Sequence, residues 1–250
     1  MAIIKMQPGD RYLPCPGIYQ LAEDAADIHI CLIGLTDMMR RYFPSVSVTH
    51  YQTLPGQELT PDAGRVDFLN RSDISQLNGF KSLKKQVEWI GGRYALKTLA
   101  VAVLPGAGRP EQVGVACEAR GASYLVDRAE ISVSISHAGD YAAAGICLAA
   151  GKRMGLDIES MTGNGLEDVK RVAFTEREAA AAGDSREQAF RIWTRKEAYL
   201  KFIKSGFGES LKRVDVSGTD IRHGGLPVNG LSIQTLKLAE HYLLSVVNHR

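Results

Sequence analysis

Two short stretches of this chain carry residues whose types and spacing suit chemistry at a phosphate ester. In Gly155-Leu156-Asp157-Ile158-Glu159 two carboxylates stand at alternate positions of a strand-like segment. Alternate residues of a strand face the same way, so Asp157 and Glu159 share one face while Leu156 and Ile158 pack on the other. Enzymes hold magnesium with one or two carboxylates plus phosphate oxygens and water, a need that this pair meets. An exposed strand end would carry the same pair. The second stretch, Phe190 to Lys204, reads as a helix with Glu197 and Lys201 one turn apart. Such a pair is common on helix surfaces. Here, however, Phe190, Trp193, Glu197, Leu200 and Lys204 form one stripe, which sets Glu197 beside the apolar face. A carboxylate there calls for a metal or a basic partner, and Lys201 could meet the same anion. Trp193 reads as core.

Other residues carry weaker signals. Ser136-His137 ends a strand, where a histidine is either structural or a hydrogen-bond donor to phosphate. Gly108-Arg109-Pro110 is a turn presenting an arginine, whose planar fork matches phosphate. Glu178 completes a capping box with Thr175 and could equally approach a metal from the helix start. From Lys81 to Pro110 the basic residues are Lys81, Lys84, Lys85, Arg93, Lys97 and Arg109, against the single acid Glu88. That stretch is either an anion-binding surface or a solvated helix face.

Composition narrows the class. The chain has 250 residues, 45% hydrophobic and 23% charged, with a formal net charge of +2. This is ordinary for a globular protein, enough for one large domain or two halves sharing a core. Near-neutral charge argues against nucleic acid as a partner. Cys15, Cys31, Cys117 and Cys147 form no CxxC pair, so neither a zinc site nor a disulfide framework is expected. No signal peptide is read at the N-terminus, and the longest apolar run, Tyr141 to Ala150, is too short to span a bilayer. The expectation is a cytoplasmic protein that does not engage a membrane.

The elements that must position these residues can be read along the chain. Residues 1–26 form a loose leader. Ile28 to Ile33 is a strand, residues 44–66 a long loop with a possible strand at Val46 to Tyr51, and Lys81 to Val103 a helix with a Gly91-Gly92 close-packing point. Ile131 to Ser136 alternates as a half-buried strand and leads through Tyr141–Ala149 to Met154–Glu159 as a three-stranded meander. Helices then begin at Thr175 and Ser185, the second ended by Gly206 and Gly208. Strands follow at Leu211–Val216, Leu231–Leu238 and Tyr242–Asn248.

In this order, Gly108-Arg109-Pro110, Ser134-Ile135-Ser136-His137, Gly155-Leu156-Asp157-Ile158-Glu159, Phe174-Thr175-x-x-Glu178 and Trp193-Thr194-x-Lys196-Glu197-Ala198-x-x-x-Lys201 resemble the 4′-phosphopantetheinyl transferase superfamily. Glu88-Trp89-Ile90-Gly91-Gly92-Arg93-Tyr94-Ala95 is similar to a helix motif of its larger type, which activates siderophore, peptide and polyketide synthetases. The resemblance covers residues 81–207 well. It implies an α+β fold of two similar α/β halves related by a pseudo-two-fold axis, each a small sheet packed against a long helix, with the active site in the cleft between them. The expected division is a leader at 1–26, an N-terminal half at 27–126 and a C-terminal half at 127–250. The implied reaction moves the phosphopantetheine arm of coenzyme A to a serine of an apo acyl, peptidyl or aryl carrier protein, releasing 3′,5′-ADP. Lys85, Arg93, Arg109, Ser136, His137 and Lys201 would bind coenzyme A. Asp157, Glu159 and Glu197 would hold Mg²⁺, with Glu197 as base and Lys201 stabilising the leaving group. A monomer is expected. Arg109 stands where the family more commonly has lysine, residues 35–68 form an unusual insertion, and the stretch from Glu111 to Glu130 is long. Which of Lys81, Lys84 and Lys85 meets phosphate stays open.

Two other readings compete. Asp157 with Asp168-Val169-Lys170 has the spacing of a metal-dependent nuclease, although Asp168-x-Lys170 sits in a helical segment. A homologue that binds coenzyme A or carrier protein without turnover is the other, against which stands the joint presence of Asp157, Glu159, Glu197 and Lys201.

Overall fold

The computed structural model describes residues 1–6, 15–22, 25, 27–46, 54–59, 67–205, 208–238 and 240–250. In chain order its elements are β1 (Ile3–Lys5), β2 (Gly17–Gln20), β3 (Ile28–Gly34), α1 (Leu35–Tyr42), α2 (Arg71–Asn78), α3 (Leu83–Val103), β4 (Val115–Cys117), β5 (Ser123–Leu125), β6 (Ser132–Ala138) and β7 (Tyr141–Cys147). These are followed by β8 (Met154–Ser160), α4 (Leu166–Ala173), α5 (Glu176–Ala182), α6 (Arg186–Phe202), β9 (Val214–Asp215), β10 (Ile221–His223), β11 (Leu226–Val228), β12 (Leu231–Leu238) and β13 (Tyr242–His249). The fold is mixed α+β with small sheets ordered β1-β2-β3-β7-β6, β12-β13-β8, β11-β10-β9 and β4-β5.

Several expectations change. The stretch read as a loose leader contributes β1 and β2, which pair in parallel and attach to β3. The three-stranded meander is a hairpin of β6 and β7 only; β8 leaves it and pairs with β13. β7 also pairs with β3, so the β6–β7 hairpin, past residue 127, belongs to the first sheet. The insertion contains helix α1, and Leu211–Arg213 is a short 3₁₀ turn before β9. The strand read at Val46–Tyr51 lies outside the described residues beyond Val46, as does Gly206; α6 ends at Phe202. Among the described residues no helix is long and apolar enough to cross a membrane.

Strand alternation sorts the core into layers. Cys31, Ile33, Ala142, Ala144 and Ile146 of the first sheet pack on α3 through Val87, Ile90 and Leu96. The opposite face of that sheet, with Ile28, Ile30, Leu32 and Ala143, packs on Met154, Leu156, Ile158, Leu244 and Val246 of the second sheet. The second sheet's other face, with Leu243 and Val247, packs on α6 through Ala198, Tyr199 and Phe202. The order is therefore helix, sheet, sheet, helix. Gly91 and Gly92 let α3 seat tightly: a Cβ would stand 2.1 Å from Leu35 at the first and 2.7 Å from Ile135 at the second.

The two sheets also meet edge to edge. β6 and β8 are each the last strand of their sheet, and serine hydroxyls bridge them. Ser132 Oγ accepts from Met154 N at 3.0 Å, and Ser134 Oγ accepts from Leu156 N at 3.0 Å and donates to Leu156 O at 3.3 Å. The alternation of β6 was legible, and its serine face is largely buried: Ser134 and Ser136 are 5% and 6% exposed.

Gly155 sets the distance between β8 and α6. A Cβ on Gly155 would lie 2.1 Å from Ala198 O and 2.4 Å from Phe202 N, both backbone atoms that cannot rotate away. Gly155→Ala must push α6 off the sheet. We expect destabilisation of about 2 kcal/mol or more in urea titration, the scale of core overpacking. An unchanged midpoint would show that the contact yields.

Candidate active site

The close approach at Gly155 determines what happens two and four residues further along the same strand face. Asp157 comes to lie against α6: Lys201 Nζ donates to its Oδ1 at 2.7 Å, and Thr194 Oγ1 donates to its backbone carbonyl at 3.0 Å. From the other side Ser136 Oγ donates to the same Oδ1 at 2.8 Å. Asp157, 4% exposed, thus joins β6, β8 and α6. Glu159 meets the preceding turn of α6, where Trp193 Nε1 donates to its Oε1 at 2.9 Å. Trp193 is partly core, as expected, and also a polar partner of a candidate ligand.

A cavity of about 460 Å³ opens beside this junction, walled by α3, β6, β8 and α6. Lys85, Arg93, Ser136, His137, Asp157 and Lys201 line it, together with Glu88. Lys84 and Glu159 line a neighbouring cavity that shares Glu88 and His137. Glu197 lines a third, with Leu200, Val133 and Ile135, that shares Lys201. The three run along one seam. Of the three lysines left open, Lys85 faces the main cavity, Lys84 its neighbour, and Lys81 neither.

Arg109 is not among the lining side chains; its guanidinium is exposed and 2.9 Å from Glu111. Arg93 lines the cavity but is 2% exposed, lies 3.8 Å from Asp73 and stacks at 4.7 Å over Trp89. Lys97 is also buried and paired with Asp73. The basic run of α3 is therefore not a solvated face: part of it is neutralised by a carboxylate from α2, and part faces the cavity. Glu88 was noted in the sequence only as the lone acid of that run. It is nearly buried, with Lys85 at 3.2 Å, Lys84 at 3.7 Å and His137 at 3.7 Å. Burial holds His137 below the ordinary histidine range, against the opposing pull of Glu88.

Glu178 is a cap. Its Oε2 accepts from Thr175 N at 2.8 Å and pairs with Lys196 Nζ at 2.6 Å, while its Oε1 accepts from Val216 N at 3.0 Å. Both side chains of the pair are 0% exposed, and the three ammonium protons of Lys196 are shared among Glu178 and the carbonyls of Ala173, Leu211 and Val214. This pair ties α5, α6 and β9 together with no oxygen left for a metal. Removing one member strands the other charge in the core. We expect Lys196→Met to lower unfolding free energy by about 3–5 kcal/mol in denaturant titration; a loss within error would mean that the pair contributes little. Asp168 and Lys170 pair with Arg171 and Glu167 within α4 and line none of the three cavities, so they are not part of the Asp157 site that the nuclease spacing would need.

The carboxylates at the seam are electrostatically strained. Burial, then the charge of Asp157, pushes Glu159 and Glu197 up to about 7. Asp157 Oδ2 and Glu197 Oε1 are buried without a hydrogen-bond partner. Hard oxygen donors with surplus negative charge fit a divalent cation. Among the described residues no three acidic, histidine or cysteine side chains come together as a group that could hold a metal, so Asp157, Glu159 and Glu197 are not gathered into one ligand set. Magnesium is held by one or two carboxylates with phosphate oxygens and water, and Asp157, with its unmatched Oδ2, offers one such carboxylate.

Residues 153–247 match the family model of the 4′-phosphopantetheinyl transferase superfamily. The matched stretch is less than half of the chain. It contains Asp157, Glu159, Glu197 and Lys201, whereas Lys85, Arg93, Ser136 and His137 lie before it. No curated protein matches the chain.

The raised carboxyls predict a pH signature. Folded values near 7 against the ordinary 4.5 mean that the folded protein keeps protons which the unfolded chain releases. Their contribution is complete below the ordinary value and is lost as pH rises through the folded one. In chelator the thermal midpoint of wild type should fall more between about pH 6 and pH 8 than that of Glu159→Gln/Glu197→Gln, and magnesium should raise the wild-type midpoint more at the higher pH. Equal slopes, with no effect of magnesium, would remove the electrostatic argument.

Proposed function

We propose that this protein transfers the 4′-phosphopantetheine arm of coenzyme A to a serine hydroxyl of an apo acyl, peptidyl or aryl carrier protein, releasing 3′,5′-ADP. The observation that carries the reading is the single cavity where Lys85 and Arg93 from α3 and Lys201 from α6 face the carboxylate of Asp157. Cations from two layers opposite a buried acid suit a diphosphate with a counterion. The family match over the acidic half of this seam supports the same reaction.

In this mechanism Lys85, Arg93, Ser136 and His137 bind and orient the phosphates of coenzyme A. Asp157, Glu159 and Glu197 would hold Mg²⁺, which when bound neutralises charge around the phosphorus under attack. Glu197, directly or through a water, takes the proton of the incoming serine. Lys201 would exchange its hold on Asp157 for the phosphate oxygens and stabilise the charge that grows on the leaving group. The apolar lining beside Glu197, from Val133, Ile135 and Leu200, shields that proton transfer from bulk water. Arg109 joins this set only through movement of its loop.

The larger, two-halved type of the superfamily is the version proposed, acting as a cytoplasmic monomer. The two sheet-and-helix layers, α3 on the first sheet and α6 on the second, support halves related by a pseudo-two-fold axis. The reading is tested by the intact mass of apo carriers after incubation with protein, coenzyme A and magnesium, with and without EDTA. We expect a gain of one phosphopantetheine arm that EDTA prevents. Glu197→Gln should lower kcat/KM by about 100-fold or more while the far-UV circular dichroism keeps its wild-type form. No gain on any carrier class would favour a binding-only homologue, and full activity of the variant would exclude Glu197 as base.

A further inference from the structure

The three cavities of the seam step along β6. The cavity beside Glu197 is lined from this strand by Val133, Ser134 and Ile135, the main one by Ile135, Ser136 and His137, and the third by His137 and Ala138. The first two meet, since Gly121, Ser123, Ile135 and Lys201 line both. Their chemistry differs. The main cavity, of about 460 Å³, carries Lys85, Arg93 and Lys201. The other, of about 200 Å³, is apolar at its base through Val133, Ile135 and Leu200. Ser134 does not change that, because its hydroxyl is bonded to the backbone of Leu156. A ligand that fills both cavities has an anionic head and, past Lys201, an uncharged tail.

The hairpin of β4 and β5, inside the long stretch between Glu111 and Glu130, has no part in the chemistry above, yet its tip walls the smaller cavity. Arg120, Gly121, Ala122 and Ser123 line it together with Leu200 and Lys204 of the α6 side. The tip is a built turn. Glu118 N donates to Ala122 O and Gly121 N to Glu118 O, both at 2.8 Å, with Gly121 at a φ of 88° that glycine adopts freely. Lys204 fastens the tip to the end of α6 by reaching Glu118 at 2.6 Å. The lysine does so from a φ of 54°, a left-handed angle uncommon for a residue with a side chain. The hairpin is thus a cover held across the cavity.

We infer that the cavity under the hairpin takes the uncharged arm of the co-substrate, and that the hairpin tip limits what this arm can carry on its sulfur. The assignment rests on the transferase reading and gives its site a direction, with phosphates among Lys85, Arg93 and Lys201 and the arm beyond Lys201. Coenzyme A has this form: a polyanionic nucleotide joined through a diphosphate to a neutral amide chain that ends in a thiol. A slender chain suits a cavity less than half the size of its neighbour. A short acyl group on the sulfur adds little to it, whereas a long one requires the tip to lift. The Lys204–Glu118 pair is partly exposed, so it biases the cover toward the closed position without locking it.

The test is calorimetric binding in magnesium without carrier protein, comparing coenzyme A with 3′,5′-ADP, which lacks the arm. Ala122→Trp fills the cavity from the hairpin side and leaves the core untouched. We expect it to weaken coenzyme A by about tenfold while 3′,5′-ADP keeps its wild-type affinity. Equal weakening of both, or of neither, would overturn the arm's placement; a merely structural role for Ala122 would not separate the two ligands. In wild type acetyl-coenzyme A should bind as coenzyme A does and octanoyl-coenzyme A about tenfold more weakly. Glu118→Lys should narrow that gap by about threefold, and Glu118→Lys/Lys204→Glu should restore it. Octanoyl-coenzyme A bound as tightly as the acetyl form would overturn the limit, and a gap that Glu118→Lys leaves unmoved would overturn the part given to the hairpin. If neither coenzyme A nor 3′,5′-ADP binds wild type, the transferase reading itself fails and the inference falls with it.

Discussion

The contact on which the rest depends is the approach of α6 to β8 at Gly155. A side chain there would overlap two backbone atoms of the helix. Its absence brings strand and helix together along opposite directions, so that residues rising along β8 meet residues falling along α6. Gly155 lies at Ala198 and Phe202, Asp157 at Lys201 and Thr194, and Glu159 at Trp193. A strand places every second side chain on this face, and one glycine sets the spacing for both acids that follow it.

The same closeness creates the electrostatic character of the seam. Asp157 satisfies one oxygen with a serine and a lysine and leaves the other buried and unmatched. Its charge then bears on Glu159 and Glu197, already pushed up by burial. The Glu178–Lys196 pair, on the same helix, shows the opposite solution. Every oxygen and every proton there has a partner, and what results is an anchor. Within α6, satisfied charge holds the fold while unsatisfied charge faces the cavity.

The local parts of this arrangement were legible in the sequence and the long-range parts were not. Strand period two put Asp157 and Glu159 on one face, and the stripe through Phe190 and Leu200 set Glu197 beside apolar surroundings. Helix α3 was readable from its apolar spacing, though the reading began two residues too early, at Lys81 instead of Leu83. The pairing of β8 with β13 was hidden because some eighty residues separate the partners, and local alternation says nothing about which edge a strand joins. Strands β1 and β2 were missed because short, proline-flanked segments carry little periodicity. The bridging role of the β6 serines was not legible because a hydroxyl is equally at home in water and on another strand's backbone. Glu88 stood out by sign alone, and its role depends on His137, which only the fold brings near.

The serine bridge between β6 and β8 has a consequence beyond positioning. An unpaired strand edge is a template for any passing chain. Here two open edges cover one another, joined by side-chain hydroxyls instead of a full backbone ladder. A serine bridge can widen by a few tenths of an ångström without breaking a ladder, so the seam can adjust around what it holds. Wholesale separation of the sheets is another matter, because it would bare two sticky edges at once. The place where the molecule can yield to a ligand is also the place where it can least tolerate coming apart.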